Sequence, residues 1–259
     1  MSKKLIIANF KMNPATEKEC LDLFKHYQKT AKKLKNVQFV MAPPFVFLPA
    51  ILKEKGMVAA QDCFYEDSGA YTGEISPLML KNMGVKYVIV GHSERRQLGE
   101  TDELISKKLQ AVLRNALVPI LCVGETREEK ESGKKEEVIK RQISKAFSNF
   151  KFSTFPRPEL GTKVNFKLVI AYEPVWAIGT GLAENPDSAS ETMNFISSEI
   201  KKIISKAEIT IIYGGSVDAA NIGAFLEKTI IQGALVGGAS LKKEEFARIL
   251  EIADFHPVK

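Results

Sequence analysis

Eight times along the chain a short apolar run of strand length gives way to a longer segment with helical character, and this alternation restricts the fold more than any single residue does. The strand-like runs are Leu5 to Met12, Val37 to Ala42, Met57 to Gln61, Tyr87 to Gly91, Val118 to Gly124, Phe166 to Tyr172, Ile209 to Tyr213 and Ala234 to Val236. Between them the apolar residues recur at helical spacing. Leu21, Phe24 and Tyr27 mark one face of a helix over Ala15 to Leu34. Leu104, Ile105, Leu109, Val112 and Leu113 do so for Asp102 to Asn115, and Met193, Ile196, Ile200 and Ile203 for the helix after the sixth strand. Glu128 to Phe147 is charged and helical, and Phe246, Ile249, Leu250 and Ala253 give a last helix one apolar face. Eight such pairs in 259 residues have the size and rhythm of an α/β fold closed into a (β/α)8 barrel, a single domain over residues 1–259. A doubly wound sheet is the alternative, but eight units are many for one open sheet of this length. In a barrel all strands open onto one face at their C-terminal ends, so the residues just past each strand converge there.

Those residues are polar or glycine. The first strand ends in Asn9-Phe-Lys11, and the spacing of two predicts that Asn9 and Lys11 point to the same side, into the barrel. An inward lysine needs an anion or a carboxylate, although one that snorkels out of the barrel end does not. The fourth strand ends in Gly91-His-Ser-Glu-Arg-Arg96. Of the three histidines only His92 stands at a strand mouth, and N–H groups at a turn or short helix there would favour a neutral imidazole. After the sixth strand comes Ala171-Tyr-Glu-Pro-Val-Trp-Ala-Ile-Gly-Thr-Gly181, a carboxylate followed by a stiff apolar tip and two permissive glycines, a composition suited to a lid. A helix start follows, with Asn185 as its cap and Pro186 at its first position. Taken alone, Glu173 reads as a solvated strand-end residue. Its company points elsewhere: Tyr213-Gly-Gly-Ser216 and Val236-Gly-Gly-Ala-Ser240 follow the last two strands, where bare backbone N–H groups bind phosphate in barrels of this kind.

Composition serves mainly to exclude. A net charge of +6, with the largest lysine cluster (Lys29 to Lys35) on the wet face of a helix, argues against nucleic acid and is compatible with a small anionic substrate. Cys20, Cys63 and Cys122 have no paired spacing, which argues against disulfides and zinc and for a reducing, cytoplasmic setting. Met1-Ser-Lys-Lys leads straight into a strand, so no signal peptide is expected, and no apolar run reaches membrane-spanning length.

Read in order, Asn9-Phe-Lys11, Gly91 to Arg96, Ala171 to Gly181, Tyr213 to Ser216 and Val236 to Ser240 give nearly the whole chain a resemblance to the triosephosphate isomerase family. The eleven-residue lid segment is its most specific part. The resemblance implies a reaction without cofactor or metal that moves a proton between the carbons of dihydroxyacetone phosphate and glyceraldehyde 3-phosphate. It makes Glu173 the base, His92 the group that polarises the carbonyl, and Lys11, assisted by Asn9, the stabiliser of enediolate charge. Glu94 matches the lysine's carboxylate partner. Gly179, Ser216, Gly237 and Gly238 match phosphate binders, and Glu125, Tyr172, Trp176 and Tyr213 match residues that hold the lid open or closed. The loop Asp62 to Ser76, with Thr72 at its tip, matches the one that enters a partner subunit near Asn9 and His92, so a homodimer is implied.

The sequence departs from the family pattern at Ala8 and Phe10, where Gly and Trp are common, and at Ile231-Gln232-Gly233, where an acidic residue is usual. Asn149 to Asn165 is longer than the usual connection. Its aromatic residues and prolines suggest either a flap over the lower end of the barrel or an extra contact surface. Another phosphate-binding barrel enzyme, such as a Schiff-base aldolase using Lys11, would share the glycine pairs but not the lid together with His92. A non-catalytic scaffold would be expected to lack Glu173 or Lys11.

Overall fold

The structure, a computed structural model, describes residues 3–148, 150, 166–179, 181, 183–204 and 207–258. Its strands are β1 (Lys4–Asn9), β2 (Val37–Ala42), β3 (Ala59–Ala60), β4 (Tyr87–Val90), β5 (Val118–Val123), β6 (Lys167–Tyr172), β7 (Glu208–Tyr213) and β8 (Gly233–Val236). They pair in parallel in the order β2-β1-β8-β7-β6-β5-β4-β3. The ring closes between β2 and β3 through a parallel bridge from Met41 to Val58 and the Met41 N–H donating to the Met57 carbonyl at 3.0 Å. The helices are α1 (Glu17–Ala31), α2 (Leu48–Lys53), α3 (Pro77–Met83), α4 (Ser93–Gln97), α5 (Asp102–Arg114), α6 (Arg127–Glu131), α7 (Lys135–Ala146), α8 (Pro186–Ile203), α9 (Ile222–Leu226) and α10 (Lys243–Asp254). This is a (β/α)8 barrel in one domain.

Strand alternation sorts the apolar side chains into two cores. Leu5, Ile7, Val40, Ala42, Ile89, Ile120, Cys122, Val169, Ala171, Ile212 and Leu235 pack together inside the barrel. Their strand neighbours, such as Ile6, Ala8, Met41, Val88, Val90, Leu121 and Ile170, pack outward against the helices. The helix starts follow from their caps. Thr16, Ser76, Thr101 and Thr126 each accept a backbone N–H, and Thr126 forms a capping box with Glu129. Asn185 caps α8 by accepting the N–H groups of Asp187 and Ser188, with Pro186 behind it, as its sequence predicts.

Four elements differ from their sequence reading. β1 stops at Asn9, because the Phe10 N–H turns to the Ala42 carbonyl (3.1 Å) and Lys11 is left-handed at φ 53°. Lys11 therefore lies beyond the strand, and the spacing argument that put it on Asn9's face does not apply. β3 is two residues long rather than five. α1 is shorter at both ends than Ala15 to Leu34. The single helix expected over Glu128 to Phe147 is two, α6 and α7, divided where Gly133 takes φ 73°.

The departures from the family pattern are absorbed by packing. Ala8 and Phe10 are fully buried, and the Phe10 ring stands edge-on to Tyr27 at 6.5 Å. Gln232 supplies an extra rung between β7 and β8. Its Oε1 accepts the Ile211 N–H (3.0 Å), its own N–H donates to the Ile211 carbonyl (2.8 Å), and its carbonyl accepts the Leu5 N–H (2.9 Å). The long connection 149–165 lies outside the described residues apart from Phe150, whose ring is 5.2 Å from that of Phe147 and 6.2 Å from that of Phe166.

Candidate active site

The inward series of each strand, continued one step past its end, selects the residues at the mouth of the barrel. After Leu5 and Ile7 comes Asn9, after Val169 and Ala171 comes Glu173, after Ile212 comes Gly214, and after Leu235 comes Gly237. At β4 the next inward residue is Gly91, whose φ of 73° turns the chain and brings His92 to the mouth as the cap of α4. These residues, with Lys11, Ile178, Gly179 and the turn 214–218, line one cavity of about 350 Å³.

Glu173 is 2% exposed and fixed at its backbone, its N–H donating to the Val123 carbonyl at 2.8 Å. Strands β5 and β6 end so close together here that a Cβ on Gly124 would stand 1.7 Å from the Glu173 carbonyl oxygen. Of the carboxylate oxygens, Oε2 accepts the Ser93 N–H (2.9 Å) at the start of α4, while Oε1 makes no hydrogen bond. Oε1 stands 3.2 Å from His92 Nε2, in ion-pair range but off the angle that a hydrogen bond needs. The Cys122 thiol lies beneath. Burial, reinforced by the charge of Glu173, pushes it well above the ordinary thiol range, so it remains a neutral neighbour.

His92 Nδ1 accepts the Glu94 N–H at 3.2 Å. A ring nitrogen that accepts cannot carry the proton, so the imidazole is the Nε2–H tautomer and presents its donor to the cavity. Lys11 reaches the same space from its left-handed turn. Its N–H donates to Asn9 Oδ1 (3.1 Å), its carbonyl accepts Gln61 Nε2 (2.8 Å), and its Nζ meets Glu94 Oε1 at 2.5 Å. The lysine side chain runs past Gly237, where a Cβ would lie 3.3 Å from Lys11 Cε. Across the cavity the 214–216 turn and the 3-10 helix Gly238–Leu241 present bare backbone, and nothing stands within 4 Å of the Cβ position of Gly238. Such a rim suits an anion bound through N–H groups.

The segment that follows Glu173 is anchored on two sides, to Glu125 after β5 and to Tyr213 and Ser216 at the end of β7. The 3-10 helix Val175–Ala177 carries Trp176, whose Nε1 donates to Glu125 Oε1 at 2.9 Å. Tyr172 Oη bonds both Glu125 oxygens (3.2 and 3.3 Å), and burial raises the Glu125 carboxyl above its usual range. Ser216 Oγ donates to the Ala177 carbonyl, and Tyr213 Oη accepts the Glu184 N–H at 3.2 Å. Gly179, at φ 71°, stands on the cavity wall.

Residues 4–253 match the sequence profile of a family described as triosephosphate isomerase. The chain belongs to that family. A triosephosphate isomerase from Buchnera aphidicola subsp. Schizaphis graminum is 42% identical over 261 residues, covering 98% of this chain and 99% of the relative. One from Clostridium botulinum strain ATCC 19397 is 45% identical over 258 residues, covering 96% and 99%. The structure gathers the residues that the family resemblance singles out: Asn9, Lys11, His92, Glu173, Gly179, Ser216, Gly237 and Gly238 meet at one cavity or its rim, and Glu94, Glu125, Tyr172, Trp176 and Tyr213 lie in the layer behind. Thr72 stands apart on the exposed loop 62–76. Sequence reasoning missed Ser93, which acts through its backbone N–H, and Gln61, whose amide braces Lys11 from the end of β3. It also missed Lys242, Asp218 and Glu245, which line the outer cavity. The Gly124-Glu125 pair just past β5 was a visible signal for a close backbone approach to Glu173.

Proposed function

We propose that the chain is a triosephosphate isomerase that interconverts dihydroxyacetone phosphate and D-glyceraldehyde 3-phosphate, with Glu173 as its base. The observation that carries this reading is the free Glu173 Oε1, buried and facing a histidine whose donor nitrogen points into the same cavity. With the phosphate held by N–H groups of Gly179, Ser216, Gly237 and Gly238, the carbonyl end of the triose lies between Glu173 and His92. Glu173 removes a proton from C1 of the ketone and the C–H electron pair forms the C1–C2 double bond. Negative charge then develops on the C2 oxygen, where the His92 Nε2–H, the Lys11 ammonium and Asn9 stabilise it. A proton moves between the two enediolate oxygens, and Glu173 returns its proton to C2 to give the aldehyde. Every electron pair stays within the substrate, so the step needs no cofactor. The lysine is engaged by Glu94 rather than free to attack a carbonyl, which disfavours a Schiff-base aldolase.

We place the working unit as a homodimer in the cytoplasm. Met12 is 92% and Leu98 78% exposed, and Val46, Tyr71, Met79 and Met83 join them on the loops that follow β1 to β4 and on α3. So much apolar surface on one side of a barrel suits a second copy. The three cysteines are free and buried, in keeping with a reducing compartment.

A coupled assay with glyceraldehyde 3-phosphate, run on the wild type and on Glu173→Asp, tests the reading. Asp draws the carboxylate back by about one bond, and misplacement of order 1 Å can cost roughly 100-fold. Turnover is expected to fall by that order with a much smaller change in KM. Near-normal turnover in a folded Asp variant would remove Glu173 from the role of base, and an inactive wild type would remove the activity.

A further inference from the structure

The turn that carries Gly237 and Gly238 is held from behind by a side chain outside the cavity lining. Tyr27, on α1, donates its Oη–H to the Ser240 carbonyl at 2.8 Å, and both residues are fully buried. Ser240 in turn donates its N–H to the Gly237 carbonyl (2.8 Å) and its Oγ–H to the Asn9 carbonyl (3.3 Å). One hydroxyl on a helix is thereby linked, through a single serine, to the glycine rim of the cavity and to the end of β1. The phenol ring is caged. It lies 4.6 Å from the Phe246 ring and stands edge-on to Phe39 at 6.0 Å and to Phe10 at 6.5 Å. Burial, helped by the charge of Glu244, raises the phenol above its ordinary range, so it stays a protonated donor.

We propose that Tyr27 is a positioning residue for the phosphate end of the substrate, holding Gly237 and Gly238 where their N–H groups can reach it. This inference rests on the isomerase reading, which puts the phosphate there. Backbone donors bind an anion well when they are fixed before it arrives, because any ordering during binding is subtracted from the affinity. Two glycines and an alanine offer almost no side chain to fix this turn, so its place depends on hydrogen bonds to its carbonyls. Without the phenol, the Ser240 carbonyl loses this donor in a site closed to water, which is costly unless the turn moves. The Ser240–Gly237 hydrogen bond passes that movement to the rim. Glu173 and His92 are held by a separate set of contacts, to Val123, Ser93 and the Glu94 N–H. The effect therefore falls on phosphate binding rather than on proton transfer.

The experiment compares the wild type with Tyr27→Phe, which keeps the ring and removes the hydroxyl alone, and with Tyr27→Leu, which removes both. The probe is inorganic phosphate, titrated by calorimetry. Its dissociation constant should rise by about three- to ten-fold in Tyr27→Phe, the equivalent of one ordinary hydrogen bond, and by a similar factor in Tyr27→Leu. KM for glyceraldehyde 3-phosphate should rise with it while kcat stays near wild type. With D-glyceraldehyde, the same aldehyde without its phosphate, kcat/KM should be unchanged. A purely structural role would lower the melting temperature and leave the ratio of the two kcat/KM values where it was. Phosphate affinity equal to wild type in Tyr27→Phe would overturn the proposal, and so would a loss seen only in Tyr27→Leu, which would assign the effect to ring packing. A Tyr27→Phe chain that does not fold would overturn it as well, by showing that the barrel rather than the rim needs the hydroxyl. Each of these results leaves the isomerase reading standing. A wild type that binds phosphate but isomerises neither triose would sink that reading, whatever Tyr27→Phe does to phosphate.

Discussion

One oxygen of Glu173 is held and the other is free, and that asymmetry depends on residues that do not line the cavity. Ser93 holds Oε2 through a backbone N–H, and Gly124 lets β5 come close enough to set the height of the Glu173 backbone. Gly124→Ala would place a methyl group 1.7 Å from the Glu173 carbonyl oxygen, a distance only a backbone shift can relieve. Turnover in this variant is expected to fall by at least 10-fold, since displacement of reacting groups by a fraction of an ångström suffices for that. A steady-state assay of the folded variant checks it. A second residue, Lys4, matters for stability rather than chemistry. Only 2% exposed, it donates to the carbonyls of Leu226 (3.2 Å) and Ile231 (2.7 Å), and burial lowers its pKa from 10.5 to about 8. Below pH 8 both folded and unfolded chains carry the charge, and the folded one bears the full desolvation penalty. Between about pH 8 and 10.5 the unfolded chain binds more protons, so this group's contribution to stability rises with pH. Compared with Lys4→Met, the wild type should therefore gain stability from pH 7 to pH 10, by up to about 3 kcal/mol. Urea midpoints of the two proteins at both pH values measure the difference, and a constant gap would show that Lys4 does not titrate in this window.

At the scale of elements, the sequence was most legible where periodicity and capping agreed. The cap and proline at Asn185-Pro186 placed the start of α8, and the glycine pairs placed the bare-backbone rim of the cavity after β7 and β8. It was least legible where backbone hydrogen bonds decide. Nothing in Leu5 to Met12 says that the strand ends at Asn9, because the cause is the Phe10 N–H reaching across to Ala42. Nor does residue type distinguish a two-residue β3 from a longer one when a single bridge closes the barrel beside it. The Ser93 N–H was invisible for the same reason, since every residue but proline carries one. Gln232 shows the reverse case, a side chain that repairs the sheet. The register of β7 with β8 pairs Tyr213 with Ala234, and below that pair the Gln232 amide oxygen takes the Ile211 N–H. Gln232→Ala strips that N–H of its acceptor and is expected to destabilise the barrel by about 1–2 kcal/mol. Gln232→Glu keeps an acceptor in place and should be milder. Thermal melts rank the two variants, and an alanine variant as stable as wild type would mean that water replaces the lost oxygen. The kcat of both should stay near wild type, because neither Ile211 nor Gln232 lines the cavity that holds Glu173 and His92.

For the whole molecule, the loop 62–76 is braced at its base while its tip stands free. Lys108, buried, bonds Asp62 at 2.7 Å and also Glu100, and Arg95 adds contacts to Asp62 (3.0 Å) and Glu100 (2.7 Å). Higher up, the Phe64 N–H donates to the Ile75 carbonyl (2.8 Å), and the Phe64 and Tyr71 rings lie 4.6 Å apart. Arg114 and Asn115 hold Asp67 at 3.1 and 2.8 Å. A loop so fixed loses little freedom on docking, which is the condition for a projecting tip to bind well. On the same side of the barrel Met12 and Leu98 lie exposed beside Lys11 and the end of α4, so a partner's tip seated there would press on the turns that position Lys11 and His92. Thr72→Arg puts a long side chain and a charge at the tip, and a charge buried without a partner is strongly destabilising to an interface. The variant is expected to sediment as a monomer at concentrations where the wild type is a dimer, with kcat reduced by 10-fold or more and the barrel still folded by circular dichroism. Light scattering and the coupled assay on the same samples separate the outcomes. A dimer of full activity would place the interface elsewhere, and a fully active monomer would show that the site is complete within one chain.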